Sequence, residues 1–116
     1  MTTDTLLDGP AAATDGAGPR HALPAELTIY VVADLLPQWL AWLDDPQAAA
    51  TLTLDAAGVD QVDAAGLQLL VSLGLGLARR DRALRLASPA AAIVDACRQL
   101  GLLPWLHGVT DAETAR

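Results

Sequence analysis

The stretch from Thr51 to Ala78, TLTLDAAGVDQVDAAGLQLLVSLGLGLA, constrains the fold more than any other part of the chain. It begins with the two-residue period of a strand over Thr51 to Ala56, Leu52 and Leu54 facing one way and Thr51, Thr53 and Asp55 the other. A small loop carries Val59 and Val62. Asp63 then stands where a helix N-cap belongs, ahead of an apolar run through Ala64, Ala65, Gly66 and Leu67 that is too long for a strand. Helical spacing puts Leu67, Leu70, Val71, Gly74 and Leu77 on the buried side and Ala65, Gln68, Ser72, Leu75 and Arg79 on the outer side. Gln68, Ser72 and two glycines break the run, which stays short of the roughly 18 apolar residues of a membrane span. It reads as a buried helix of a soluble protein.

The flanks repeat the strand-then-helix order. Glu26 to Val32 alternates and is rich in β-branched residues, which predicts a strand. Asp34 suits an N-cap, with Pro37 tolerable only in the first turn, and Leu36, Trp39, Leu40 and Leu43 form one stripe with Trp42 off it. A third strand is expected over Ala83 to Ala87 after the charged turn Arg79-Arg80-Asp81-Arg82, whose first arginines suit the negative end of the preceding helix. Ser88-Pro89 reads as N-cap and first helical position, and Gly101 as the stop of a helix carrying Ile93, Val94, Cys97 and Leu100. The expected architecture is an α/β domain, β-α-β-α-β-α, with a mainly parallel sheet and helices packed on it. Residues 1–23 lack either period and are expected to be a disordered tail, 24–107 the domain, and 108–116 a loose C-terminal tail.

Charge and composition narrow the function. The net charge is −7, and every base is an arginine, which disfavours nucleic acid and anionic lipid surfaces as partners. One cysteine excludes an internal disulfide, and with only His21 and His107 beside it a zinc site is not expected. No secretory leader is evident at the N-terminus, so a cytoplasmic location without direct membrane insertion is the expectation. Asp55, Asp60 and Asp63 could surround a cation or phosphoryl group, but no lysine exists to neutralise phosphate, and Asp63 as cap with two solvated loop acids is the simpler expectation. Cys97 shares a face with Ile93, Val94 and Leu100 and reads as a small buried hydrophobe. No catalytic residue, metal or cofactor is expected, and the chain reads as no enzyme.

Leu52-Thr53-Leu54-Asp55, Val59-Asp60-Gln61-Val62-Asp63, Ala64-Ala65-Gly66-Leu67-Gln68-Leu69-Leu70, Leu84-Arg85-Leu86-Ala87-Ser88-Pro89 and Leu100-Gly101-Leu102 together resemble the STAS domain of sulfate transporters and anti-sigma-factor antagonists. Glu26 to Tyr30 further resembles STAS proteins of bacterial chemosensory systems, and proteins of this size also include the small subunit of the lipid-asymmetry ABC transporter. The resemblance implies a non-enzymatic protein-interaction module. Its partner would be a chemosensory signalling protein or anti-sigma-type kinase, or alternatively the ATPase of a phospholipid ABC transporter; a small-ligand-binding domain is the further alternative. The implied docking residues are Asp60, Asp63, Ala64, Ala65, Gly66, Gln68 and Ser72. In the antagonists a serine or threonine at the place of Ala64 or Ala65 is phosphorylated to break the complex; with alanine at both, that switch is expected to be absent.

Overall fold

The computed structural model describes residues 20–45 and 48–110. Their elements are β1 (Arg20–Ala22), β2 (Glu26–Leu27), α1 (Val32–Asp44), β3 (Thr51–Asp55), β4 (Gln61–Val62), α2 (Ala64–Ala78), β5 (Ala83–Ala87), α3 (Ala91–Leu100) and α4 (Leu103–Val109). Leu52, Thr53 and Leu54 are all buried, as befits a central strand, and β3 pairs in parallel with β1 on one side and β5 on the other. A separate parallel pair joins β2 to β4, aligning Glu26 with Gln61 and Leu27 with Val62. The expected α/β class with parallel strands is what forms. Two short strands and a fourth helix are added to the expected order.

Local hydrogen bonds explain where boundaries move. The predicted strand over Glu26 to Val32 stops after Leu27, because the Thr28 hydroxyl donates to Glu26 Oε2 at 2.6 Å and the Val31 and Val32 amides both donate to the Thr28 carbonyl. That turn starts α1 at Val32, so Asp34 lies in the first turn and does not cap it; Pro37 falls inside the helix. Pro37 cannot donate to the Ala33 carbonyl, and both residues are exposed, where water can serve that carbonyl. The inward stripe of α1 is Leu35, Trp39, Trp42 and Leu43, leaving Leu36 and Leu40 exposed. Ser88 does not cap α3 either. The Ala90 amide still donates to Ala56 at the sheet's end, and the helix begins only at Ala91.

Described structure reaches into both of the segments expected to be tails. Arg20–Ala22 is a strand, Leu23 is buried, and His21 stacks on Trp42 with ring centroids 4.7 Å apart. At the other end α4 runs to Val109, and the buried Thr110 returns its hydroxyl to the Leu106 carbonyl at 2.9 Å. The remainder of the two predicted tails, 1–19 and 111–116, lies outside the described residues. Gly101 ends α3 at φ 75°, as a left-handed stop should.

Helix α2 is the hub, touching α1, α3, β2 and β5. Leu67, Leu70, Leu73 and Leu77 are buried on it, together with Gly66 and Gly76. Neighbours on several sides make this buried surface wider than the predicted stripe, on which Val71 and Gly74 are only half-buried. Each fully buried leucine contributes roughly 1.5–3 kcal/mol, against a helix cost of about 1 kcal/mol for each glycine, so burial decides. The glycines are there for approach. At Gly66 a Cβ would collide with the Leu27 carbonyl, and at Gly76 it would stand 3.0 Å from a methyl of Leu43. Beyond its C-terminus, Arg80 donates to the Gly76 carbonyl at 2.9 Å and pairs with Asp44 at 3.1 Å, while Arg82 donates to the carbonyls of Trp42 and Ala49.

The two glycine environments yield a prediction. A flexible methyl can move but backbone cannot, so Gly66→Ala is expected to destabilise by at least about 2 kcal/mol. Gly108, in helix α4, is the control, because a Cβ there would meet nothing within 4 Å. Gly108→Ala is expected to be neutral or to stabilise by up to about 1 kcal/mol. Urea denaturation midpoints of the two variants check both.

Candidate functional site

The site is built around Asp63, the residue between β4 and α2. Its Oδ1 accepts the Gly66 amide at 3.0 Å, the N-cap bond that the sequence predicts. Its Oδ2 accepts the Ile29 amide at 2.9 Å, from a segment 34 residues earlier. The Asp63 amide meanwhile donates to the Leu27 carbonyl at 3.2 Å, the same carbonyl that Gly66 abuts. Asp60 and Gln61 both donate their amides to Ala25. The turn before α1 and the loop before α2 are therefore fastened to each other by side chain and backbone together. The Asp63 carboxyl is held below the usual aspartate range by the Ile29 amide, then by that of Gly66, with partial desolvation opposing and the Ala65 amide adding to the lowering.

The predicted site residues separate by place. Ala64, Gln68 and Ser72 are exposed along α2, Ala65 is half-buried, and Asp60 is exposed on the loop. Gly66 is buried against Leu27, so its part in the motif is to allow packing and it offers no surface to a partner. Ser72 borders two depressions. One runs between the helices α1 and α2 past Leu36, Leu40 and Leu69; the other lies between α2 and the turn after α3, past Ala64, Gln68, Leu100 and Leu102. Asp55 is occupied locally, its Oδ1 accepting the Ala57 amide at 3.0 Å. Cys97 is buried among apolar residues, which raises its thiol above the ordinary range. Among the described residues no group of three or more His, Cys, Asp and Glu converges.

Sequence reasoning misses Ile29 and Tyr30. Periodicity assigns them to a strand, whereas they occupy the exposed turn that Asp63 fastens, at 57% and 84% exposure. A competing signal is present: Val32, Leu35, Trp39 and Trp42 keep helical spacing and already draw the chain out of the strand at Thr28.

The geometry defines an α/β domain in which the N-terminus of α2 is clamped to the turn before α1. A family model described as "Mlab, STAS domain" matches residues 11–104, and the chain belongs to the STAS domain family. STAS domains generally act as protein-interaction or signalling modules. No curated protein and no solved structure gives a match. No helix among the described residues is long and apolar enough to cross a membrane.

The lowered Asp63 carboxyl makes the clamp acid-sensitive. A carboxylate whose folded pKa lies below its unfolded value of about 3.9 contributes stability above that value, and the contribution is lost as pH falls through the folded pKa. Asp63→Asn, which keeps one acceptor oxygen and cannot ionise, is expected to remove this component. The difference in urea midpoint between the parent and the variant should be flat above about pH 5 and shrink below about pH 4.

Proposed function

We propose that the chain is a non-enzymatic STAS docking module that binds a cytoplasmic protein partner through the Asp63 loop and the exposed side of α2, without phosphorylation gating. The observation behind this reading is the head of α2. Ala64 and Ala65 offer no hydroxyl beside the Asp63 clamp, and the exposed side continues through the uncharged Gln68 and Ser72. Such a surface lets a partner approach closely with little side chain to desolvate. The partner in this reading is a chemosensory signalling protein or an anti-sigma-type kinase.

A second reading, a subunit that binds the ATPase of a phospholipid ABC transporter, is favoured by the description of the matching family model. Co-purification of the tagged chain from its own cells separates them: an ATPase supports the second, a kinase or receptor complex the first. The small-ligand alternative has less to support it: the cleft beside His21, Trp42 and Arg82 measures about 130 Å³, and the larger depression of about 470 Å³ past Ala64, Gln68, Ser72, Leu100 and Leu102 is lined by no charged side chain that would orient a ligand.

Two outcomes are expected. Mass spectrometry of the protein isolated from its cells should find no phosphate in residues 60–72; stoichiometric phosphate on Ser72 overturns the ungated reading. Ala64→Glu adds bulk to the exposed first turn of α2, where the helix dipole tolerates an acid, so the fold should persist while partner affinity falls about tenfold or more. Unchanged affinity with an unchanged circular dichroism spectrum moves the interface elsewhere.

A further inference from the structure

Ile29 and Tyr30 are the two most exposed large hydrophobic side chains among the described residues, and they are neighbours on one turn. Apolar side chains at such exposure are often mobile, but this turn is pinned at successive residues. Thr28 is 8% exposed and holds Glu26, the Ile29 amide is held by Asp63, the Tyr30 amide donates to Thr28 Oγ1 at 3.3 Å, and the Val31 amide to the Thr28 carbonyl at 3.0 Å. A tyrosine on a backbone already fixed in place gives contact area at low ordering cost, which is how a few interface residues come to dominate affinity. On α1, which the turn leads into, the exposed Leu36 and Leu40 flank the depression beside α2.

The charges on the turn and on the segments that hold it have one sign, and Arg98 of α3, two residues before the Leu100 that borders the α2 depression, is paired with Asp95 at 2.9 Å. Residues 23–45 and 55–78, which supply the turn, both helices beside it and the Asp63 loop, contain no arginine, lysine or histidine. Glu26, Asp34, Asp60 and Asp63 all belong to the end of the molecule where α1 and α2 begin, and the side chains of Asp34 and Asp60 are exposed. Arg79, Arg80 and Arg82 follow the C-terminus of α2, at its other end, where Arg80 pairs with Asp44. An apolar knob rimmed by acids is matched by an apolar pocket rimmed by lysine or arginine, and it repels phosphate backbones and anionic lipid.

From these observations we infer that the Ile29–Tyr30 turn is the anchor of the interface, and that the partner surface it enters is basic and apolar. This inference names the partner chemistry and rests on the docking reading above. Acid-to-base complementarity of this kind steers encounter, so association slows as salt rises, while the tyrosine governs how long the complex lasts.

The test uses the full chain with a photo-crosslinking benzoylphenylalanine at Tyr30 or at Gln68, irradiated in its own cells. Crosslinks from both positions to one protein, with the Tyr30 crosslink in a segment of net positive charge, are the expected result. A crosslink from Gln68 alone overturns the anchor and leaves the docking reading standing; no crosslink from either overturns both. A Tyr30 crosslink to an acidic segment, or to nucleic acid, overturns the partner chemistry. With the crosslinked protein purified, Tyr30→Ala is expected to raise its dissociation rate about tenfold or more. The double variant D34K/D60K is expected to cut the association rate several-fold and to flatten its dependence on salt between roughly 0.05 and 0.5 M. Rates unchanged in both variants overturn the inference. Tyr30 is almost fully exposed and the side chains of Asp34 and Asp60 are exposed, so the fold should tolerate these changes.

Discussion

The contact between Gly66 and the Leu27 carbonyl sets the terms for the rest of the molecule. No side chain fits between the first turn of α2 and the end of β2, so the helix starts flush against the backbone of the neighbouring pair of strands. That closeness brings Asp63 within reach of Ile29 with one carboxylate oxygen and of Gly66 with the other. A cap that would ordinarily serve one helix thus also fixes the turn leading into another. The leucines of α2 supply most of the burial energy, but they would hold the helix at several azimuths; the glycine and the aspartate select one.

A division of labour along α2 follows. Its N-terminal end is acidic or uncharged on the surface, fixed by backbone bonds and bordered by exposed apolar side chains. Beyond its C-terminal end lie arginines that satisfy carbonyls, Arg80 on α2 itself and Arg82 at the end of α1. Membership of the STAS family places this arrangement among interaction modules, and residues 64 and 65 at the head of its helix are both alanine.

Much of this is legible in the sequence, and the failures share a cause. The strands at 51–55 and 83–87, the Asp63 cap and the Gly101 stop rest on short-range chemistry and appear where periodicity and capping put them. The Glu26 to Val32 segment misleads because its β-branched residues favour a strand, while a side-chain bond from Thr28 to Glu26 and a distant carboxylate at Asp63 form a turn instead. Propensity is local, and Asp63 is 34 residues away. The α1 stripe fails for a related reason: spacing admits more than one inward face, and packing against α2 selects Leu35, Trp39, Trp42 and Leu43 over Leu36 and Leu40. At the site, Ala64 and Gln68 can be placed outside from spacing alone, but the burial of Gly66 depends on how closely β2 approaches, which no spacing rule contains.

The bare head of α2 has a consequence for how such a complex is controlled. Where a hydroxyl can be phosphorylated, the fraction bound changes in seconds without any change in the amount of either protein. With alanine at 64 and 65, and the docking reading in force, occupancy is fixed by mass action between two copy numbers and one affinity. Control then passes from chemistry on the protein to its rates of synthesis and removal, and the response time of the complex becomes that of protein turnover.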